Sequence, residues 1–423
     1  MLPLRGDRLR CSLDMSSGLQ RVVPHRGVYE ETPHMQLPNP PPIYLDYHAT
    51  TPVDPRVAAV IVHTMTTAFG NANSVEHVYG EVAAALVTDA RREVAALVHA
   101  APEGVHFTSG SSESIRLALA HAVAGRGQQP LRVALTTVEH RAVLDTVAAH
   151  ERCGEVTVRW LPVDGRARLD MAALEAACHD GIDLVCVMAA NNEVGTRYPV
   201  EEVARIAGQA GVRTLIDATQ AVGRVPIHAA AWGITYLTVS AHKIYGPKGV
   251  GALIVPPALH VRPSYGSTPG TGDGTPNVPG IVGLGEACRL RCLEMADDEP
   301  RIAAQRDRLE GLLSGGIPDL VINGDRACRL SQNLHVSVPD VPNDAVIARL
   351  RHHVALSTGA ACSSGAHTPS HVLRAMGVAE AVQEGALRMG IGKFTTDKDI
   401  EEAAAYIIEA VATLRHTMGR RGA

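Results

Sequence analysis

The sequence is short of aromatic residues. Two Trp, nine Tyr and three Phe among 423 residues cannot furnish the stacking platforms on which single-strand binders lay bases, so Ala, Val, Leu and Ile must build the core. A charge excess is also missing: 39 Lys and Arg against 44 Asp and Glu, interleaved along the chain, give a formal charge of -5. No basic stripe exists to neutralise a run of phosphates, which argues against nucleic acid as a partner. No stretch approaches the roughly 18 consecutive apolar residues of a membrane span. The opening Met1-Leu2-Pro3-Leu4-Arg5-Gly6-Asp7 breaks up before a secretory hydrophobic region forms. A soluble, cytoplasmic protein is the expectation. Eight cysteines (Cys11, Cys153, Cys178, Cys186, Cys288, Cys292, Cys328, Cys362) are too sparse for a disulfide scaffold, and none stands in a C-x-x-C pair. They read as thiols in a reducing compartment. Cys288 and Cys292 share a helix face, but no His stands at ligand spacing, so no metal site is expected. Repeats of roughly 20–50 residues are absent.

What the chain has is alternation. Residues 1–42 lack periodicity, are rich in Arg, Pro and Ser and end in Pro38-Asn39-Pro40-Pro41-Pro42; they read as a flexible extension. Asp7, Asp14, Glu30 and Glu31 weaken a transit-peptide reading, and a translation start at Met15 or Met35 fits equally well. From 56 to 296, apolar runs at 131–137, 156–162, 183–190, 212–217, 236–240 and 249–255 alternate with helical stretches such as 199–210, where Val200, Val203, Ala204, Ile206 and Ala207 share a face. Strands apolar on both sides predict a largely parallel sheet covered by helices. Polar residues cluster just past the strand ends, where ligands bind in open α/β sheets. From 297 the texture changes to a long helix, strands at 331–338 and 387–391, and a helix at 343–353. A last helix starts near Thr396 with Asp399 as capping partner and Ile400, Ala404, Ile407, Val411, Leu414 and Met418 on one face. Residues 43–55 and 297–423 are the expected smaller α+β domain.

Three strand-end features carry chemistry. In Ser240-Ala241-His242-Lys243-Ile244-Tyr245-Gly246 an apolar strand delivers a lysine into a glycine-bearing turn; desolvation disfavours the ammonium, and a neutral amine forms a Schiff base with an aldehyde. A surface lysine after a strand would look the same. Upstream by 26 residues, another apolar run ends in Asp217, a carboxylate able to keep a pyridinium nitrogen protonated or merely to cap the following turn. Phe107-Thr108-Ser109-Gly110-Ser111-Ser112-Glu113-Ser114 runs into a helix expected at 115–124, whose N-terminus suits a phosphate, as it would suit an ordinary cap. It is neither a Walker loop nor a G-x-G-x-x-G. In this chain order the three are the parts of a pyridoxal 5'-phosphate enzyme.

From about Ile43 to the C-terminus the chain resembles the cysteine desulfurases of the class V aminotransferase family. The matching stretches are Tyr44-Leu45-Asp46-Tyr47-His48-Ala49-Thr50-Thr51-Pro52, Glu139-His140-Arg141-Ala142-Val143-Leu144-Asp145, Asn191-Asn192-Glu193-Val194-Gly195, Asp217-Ala218-Thr219-Gln220, Ser240-Ala241-His242-Lys243 and Ser357-Thr358-Gly359-Ala360-Ala361-Cys362-Ser363-Ser364-Gly365. The resemblance implies a fold-type I α/β architecture, with a large domain around a seven-stranded, mostly parallel sheet and a smaller α+β domain. It implies Lys243 as the Schiff-base lysine and α-carbon acid/base, Asp217 on the pyridine nitrogen and His140 stacked on the ring. Gln220 and Asn192 would contact the ring oxygen or substrate; Ser111, Ser112, Ser240 and His242 would hold the phosphate. Arg388, 26 residues after Cys362, matches the arginine that pairs with the substrate carboxylate, and a domain-bridging ion pair is its alternative. Cys362, in a run of small residues suited to a mobile loop, would take sulfur from L-cysteine as a persulfide and release alanine. The flanking pattern resembles the long-loop group serving iron–sulfur assembly and tRNA thiolation, which implies a sulfur-acceptor protein. A homodimer is implied because Thr275 would reach the neighbour's cofactor. Cys11, Cys153, Cys178, Cys186 and Cys328 read as packing or surface thiols, and His48, His99 and His121 receive no role.

The departures cluster near the site. Gly272-Asp273-Gly274-Thr275 stands where relatives carry Arg-Ser-Gly-Thr or Arg-Ala-Gly-Thr, and an aspartate there repels phosphate. Ser111-Ser112 replaces Ala-Thr. Two other activities stand beside desulfuration: selenocysteine lyase or another β-eliminating reaction on the same scaffold, and a catalytically impaired scaffold subunit.

Overall fold

The computed structural model describes residues 37–261, 274–358 and 370–419. Most of the expected N-terminal extension, Gly272-Asp273 and the Cys362 segment therefore lie outside the described residues. From Pro42 to Ala423 the chain forms one compact unit.

The apolar runs become a seven-stranded sheet. Leu131–Thr136, Leu184–Met188, Arg213–Asp217 and Tyr236–Ser240 have almost no exposed positions, as strands covered on both faces require. They pair in parallel, with Val156–Leu161 at one edge. Gly251–Ile254 is antiparallel to Tyr236–Ser240 and to the other edge strand, Val105–Thr108. Its connection, residues 241–250, is shorter than the dozen or so residues a parallel crossover needs. Sequence reasoning named six of these strands and missed Val105–Thr108, a four-residue edge piece.

The long helix is Val278–Gly316, not a helix beginning at 297. It escaped detection because its buried face changes partner along its length. Ile281, Leu284 and Cys288 belong to the core under the large sheet, whereas Ile302, Leu309 and Leu313 belong to a second cluster with Leu45, Leu334, Leu387 and Ile407. No single 3.6-residue stripe spans both. The second cluster backs a three-stranded antiparallel sheet in which Asn333–Ser337 lies between Ala386–Gly390 and Val321–Ile322. Ile43–Tyr44 pairs in parallel with Val354–Ala355. The last helix, Asp397–Gly419, starts as expected: Thr396 N–H donates to Asp399 at 2.8 Å and Asp399 N–H to the Thr396 hydroxyl at 3.1 Å. Its apolar stripe buries Ile400, Ala404, Ile407 and Val411, but Met418 is exposed, beyond the end of the cluster it was expected to join. No described helix is long and apolar enough to cross a membrane.

Where the long helix passes the sheet it buries a cation. Arg291 is 1% exposed and binds Asp298 at 2.6 Å, Glu299 at 2.7 Å and the Gly223 carbonyl at 2.8 Å. Arg291→Met removes the nearest cation from Glu299 and one of the two arginines on Asp298, whose other is Arg301 at 3.1 Å, so it should cost about 3 kcal/mol. Urea unfolding should show a lower midpoint at unchanged slope; an unmoved midpoint would refute the accounting.

Candidate active site

At the carboxyl ends of the parallel strands lies a cavity of about 290 Å3. Its anion-facing wall comes from Val105–Thr108 running into the helix Ser111–Ala124. That helix begins four residues before the expected 115. Gly110, at φ 149°, turns the chain in a conformation side chains rarely adopt. Glu113 reaches back to the Ser109 N–H at 2.6 Å, and Thr108 Oγ1 bonds Ser114 Oγ at 2.8 Å. Ser111 and Ser112 thus occupy the first turn, whose N–H groups have no intrahelical partner. A Cβ on Gly110 would come within 3.7 Å of Ser240 Oγ. Ser240 itself is buried and is not among the residues lining the cavity. His242 lines it, with Nδ1 3.2 Å from Thr50 Oγ1; burial, then Lys243 and Lys248, push its pKa down to about 4, so it stands neutral.

Lys243 ends a 3-10 turn, Ala241–Lys243, directly after Tyr236–Ser240. Its Nζ donates to the carbonyl of His48 and, at 2.9 Å, to that of Ala49. Asp217 closes its strand at 6% exposure. Oδ1 accepts from Thr219 N–H at 3.0 Å, Thr219 Oγ1 at 2.5 Å and Thr238 Oγ1 at 3.1 Å, which keeps Oδ2 for another partner. His140 caps the helix Arg141–Arg152 by accepting the Ala142 N–H at Nδ1, 3.1 Å, and burial lowers its pKa.

Arg388 enters from Ala386–Gly390. It is 3% exposed, and donates from Nη1 to the Asn192 carbonyl at 2.9 Å and from Nη2 to Asp46 Oδ1 at 3.1 Å. This ion pair joins two segments of the expected small domain, so it is not the domain-bridging pair weighed as the alternative role. Lys243, Asp217, Gln220, His242, Ser111, Ser112, Asn192, His140 and Arg388 all line the one cavity. Thr275 does not: it is exposed and is not among the residues that line this cavity. Cys362 lies outside the described residues.

Two residues given no individual role belong here. His48 is buried in the wall, with Nδ1 3.1 Å from Gln220 Oε1 and Nε2 3.0 Å from Asn333 Nδ2. Glu139, fully buried beside His140, accepts from Thr136 Oγ1 at 2.6 Å and Met188 N–H at 3.0 Å. Both stand in the quoted stretches; the available signal was a titratable residue embedded in a site motif.

The chemistry of this donor set suits pyridoxal phosphate. An amine, a buried carboxylate on the adjacent strand and a hydroxyl-bearing helix N-terminus meet at one strand-end cavity, the arrangement of fold-type I enzymes that use this cofactor. The aminotransferase class-V family model matches residues 43–402, and the chain belongs to that family. Cysteine desulfurase IscS of Anaeromyxobacter sp. (strain Fw109-5) is 42% identical over 380 residues, 88% of this chain and 93% of its own. A solved structure described as a NifS-like protein is 31% identical, with TM-score 0.81 over 88% of this chain and 99% of its own. SspA in complex with cysteine is 28% identical, with TM-score 0.72 over 84% of this chain and 99% of its own.

Glu139 sets a pH dependence. Burial raises its pKa from 4.5 to about 8. Between those values the folded chain holds a proton that the unfolded chain has lost, so its contribution is fullest below 4.5 and declines as pH rises through about 8. At about 1.4 kcal/mol per unit, the decline is a few kcal/mol. Glu139→Gln, which keeps the acceptor toward Thr136 and Met188, should remove it. Urea unfolding at pH 5 and pH 8.5 checks this: an equal pH difference in variant and wild type would refute the assignment.

Proposed function

We propose that this chain is a cysteine desulfurase that converts L-cysteine to L-alanine and leaves the sulfur on Cys362 for an acceptor protein. The observation that carries the reading is the meeting of Lys243, Asp217 and Arg388 in one cavity of a chain whose curated relatives are cysteine desulfurases. Pyridoxal phosphate bound there supplies an electron sink that labilises bonds at an amino acid's α-carbon. Ser111, Ser112 and His242 on the cavity wall would hold its phosphate, His242 as a neutral imidazole, with Ser240 buried beside Gly110. Asp217 Oδ2 would keep the ring nitrogen protonated, and His140, fixed by its cap, would lie against the ring. Gln220 and Asn192 face the ring oxygen or the substrate. Lys243, held by the His48 and Ala49 carbonyls, would as a neutral amine be the group that holds the cofactor's aldehyde and moves the proton at the substrate α-carbon. Arg388 receives the substrate carboxylate, a charge-assisted bond suited to guanidinium, and shares itself with Asp46.

The net step needs no oxidant: L-cysteine and the Cys362 thiol give L-alanine and a Cys362 persulfide. The C–S bond of the substrate breaks and an S–S bond forms. The thiolate is the attacking form. The six described cysteines are free thiols, which supports a reducing, cytoplasmic setting. The two hydrophobic clusters met by the long helix support a large lobe at 56–296 and a small lobe made of 43–55 and 297–423.

A homodimer belongs to the same proposal. Val62, Met65, Phe69, Val75, Val78, Tyr79 and Val82 are large apolar residues exposed on and between the helices Pro55–Thr66 and Val78–Leu97, with Phe69 and Tyr79 in ring contact at 5.3 Å. A patch of that kind marks an interface. Asn73, in the intervening loop, donates to the Gly274 carbonyl at 3.2 Å, which sets Thr275 at the edge of the face a second copy would cover.

Purified protein with pyridoxal phosphate, L-cysteine and a reductant should release alanine. Cys362→Ala should lose alanine formation while keeping the bound cofactor's absorption band, and Lys243→Ala should lose both. Undiminished alanine from Cys362→Ala would refute the persulfide assignment. Phe69→Asp should convert a dimer to a monomer in light scattering; a wild-type monomer would refute the second copy.

A further inference from the structure

The side chain of His48 is bound at both ends, and each end independently fixes its protonation. At Nε2 the neighbour is Asn333 Nδ2, 3.0 Å away, whose other contact is the Glu193 backbone carbonyl at 2.8 Å. A carbonyl only accepts, so the amide atom facing it is the nitrogen, and that NH2 group also faces His48. Nε2 must therefore accept. At Nδ1 the neighbour is Gln220 Oε1, 3.1 Å away; the other amide atom, Nε2 of Gln220, donates to the His48 carbonyl at 3.1 Å. Here too the carbonyl assigns the amide, so Nδ1 carries the proton and donates it to Oε1. An imidazolium would turn an N–H toward the Asn333 NH2. Burial, with Arg388, Arg224 and Lys243 nearby, opposes that charge in any case and holds the imidazole well below its ordinary pKa.

We propose that His48, as the neutral Nδ1–H tautomer, is a positioning residue that locks the Gln220 amide in the cofactor cavity. The inference rests on the pyridoxal phosphate reading of that cavity. Gln220 spends Oε1 on the His48 ring and one Nε2 hydrogen on the His48 carbonyl; its second Nε2 hydrogen is the one available to an oxygen in the cavity. A glutamine held only by its NH2 can swing about its side-chain torsions, whereas one held at both amide atoms presents that hydrogen in a fixed direction. Through Asn333 and Glu193 the same chain ends beside Asn192, whose carbonyl receives Arg388.

Two substitutions separate this role from generic packing. His48→Asn keeps a donor where Nδ1 stands, and His48→Gln places its amide toward the Nε2 side. Affinity of the apo-protein for pyridoxal phosphate, measured by equilibrium titration, should fall about tenfold in His48→Gln, the scale of one lost hydrogen bond. It should stay within about threefold of wild type in His48→Asn. In a Gln220→Ala background, His48→Gln should change affinity no further. Equal losses in the two variants, or a full loss in the Gln220→Ala background, would overturn the proposal. The 15N NMR spectrum of histidine-labelled wild type at pH 7, with His48 assigned by difference from His48→Asn, should show the neutral Nδ1–H form. An Nε2–H or imidazolium signature would overturn it without touching the cofactor reading. A wild-type chain that binds no pyridoxal phosphate would overturn that reading and the purpose assigned to His48, while the tautomer is decided by NMR in the same sample.

Discussion

Residues 45–54 are the strap on which the cavity depends. Leu45 is tied by its N–H to the Ala355 carbonyl at 2.8 Å and by its carbonyl to Gly390 N–H at 2.7 Å, and its side chain belongs to the second hydrophobic cluster. Further on, Thr51 N–H donates to the His242 carbonyl at 2.8 Å, Thr51 Oγ1 accepts from Tyr245 N–H at 2.8 Å, and Asp54 N–H donates to the Tyr245 carbonyl at 2.9 Å. The strap thus joins the small sheet to the turn that carries Lys243. Between those ties it supplies Asp46 to Arg388, the His48 ring to Gln220, and two carbonyls to Lys243. A shift of the strap would move the amine, the glutamine and the guanidinium together.

Burial decides which of these groups carry charge. His48, His140, His242 and His335 all have pKa values lowered first by desolvation, and Glu139 and Glu193 are raised for the same reason. A cavity walled by neutral imidazoles, with Glu139 and Glu193 buried nearby and shifted toward their neutral forms, leaves its electrostatics to Lys243, Arg388, Asp46 and Asp217. The first two favour an anionic ligand; the third partly spends Arg388; the fourth sits where a cationic ring nitrogen would meet it. Among side chains this buried, each such contact is worth more than in water.

The parallel strands were legible because burial on both faces writes continuous apolar runs, and their polar terminations marked the cavity. Lys243 and Asp217 were legible as charged residues at strand ends that gain meaning only together, and Arg388 only through the resemblance of its stretch. The start of Ser111–Ala124 was not, since a glycine at φ 149° and a back-reaching Glu113 have no hydrophobic signature. Val278–Gly316 was misplaced because its buried stripe changes partner midway. His48 was passed over because its work is neutral hydrogen bonding to Gln220 and Asn333, which are 172 and 285 residues away in sequence, and no local pattern announces such partners. Thr275, expected to reach a neighbour's cofactor, is exposed and does not line this chain's own cavity.

Arg388 shows how the strap and the substrate compete. Its guanidinium already holds Asp46 at 3.1 Å and the Asn192 carbonyl at 2.9 Å, at 3% exposure. A carboxylate arriving at the same guanidinium would stand near Asp46, and two anions on one guanidinium repel each other. The cost is met if Asp46 moves, and Asp46 is two residues from the His48 carbonyl that receives Lys243. On the proposed reading, binding of a substrate carboxylate at Arg388 and release of Lys243 from its carbonyl acceptors would act on the same short piece of chain, which would couple recognition at one end of the substrate to chemistry at the other.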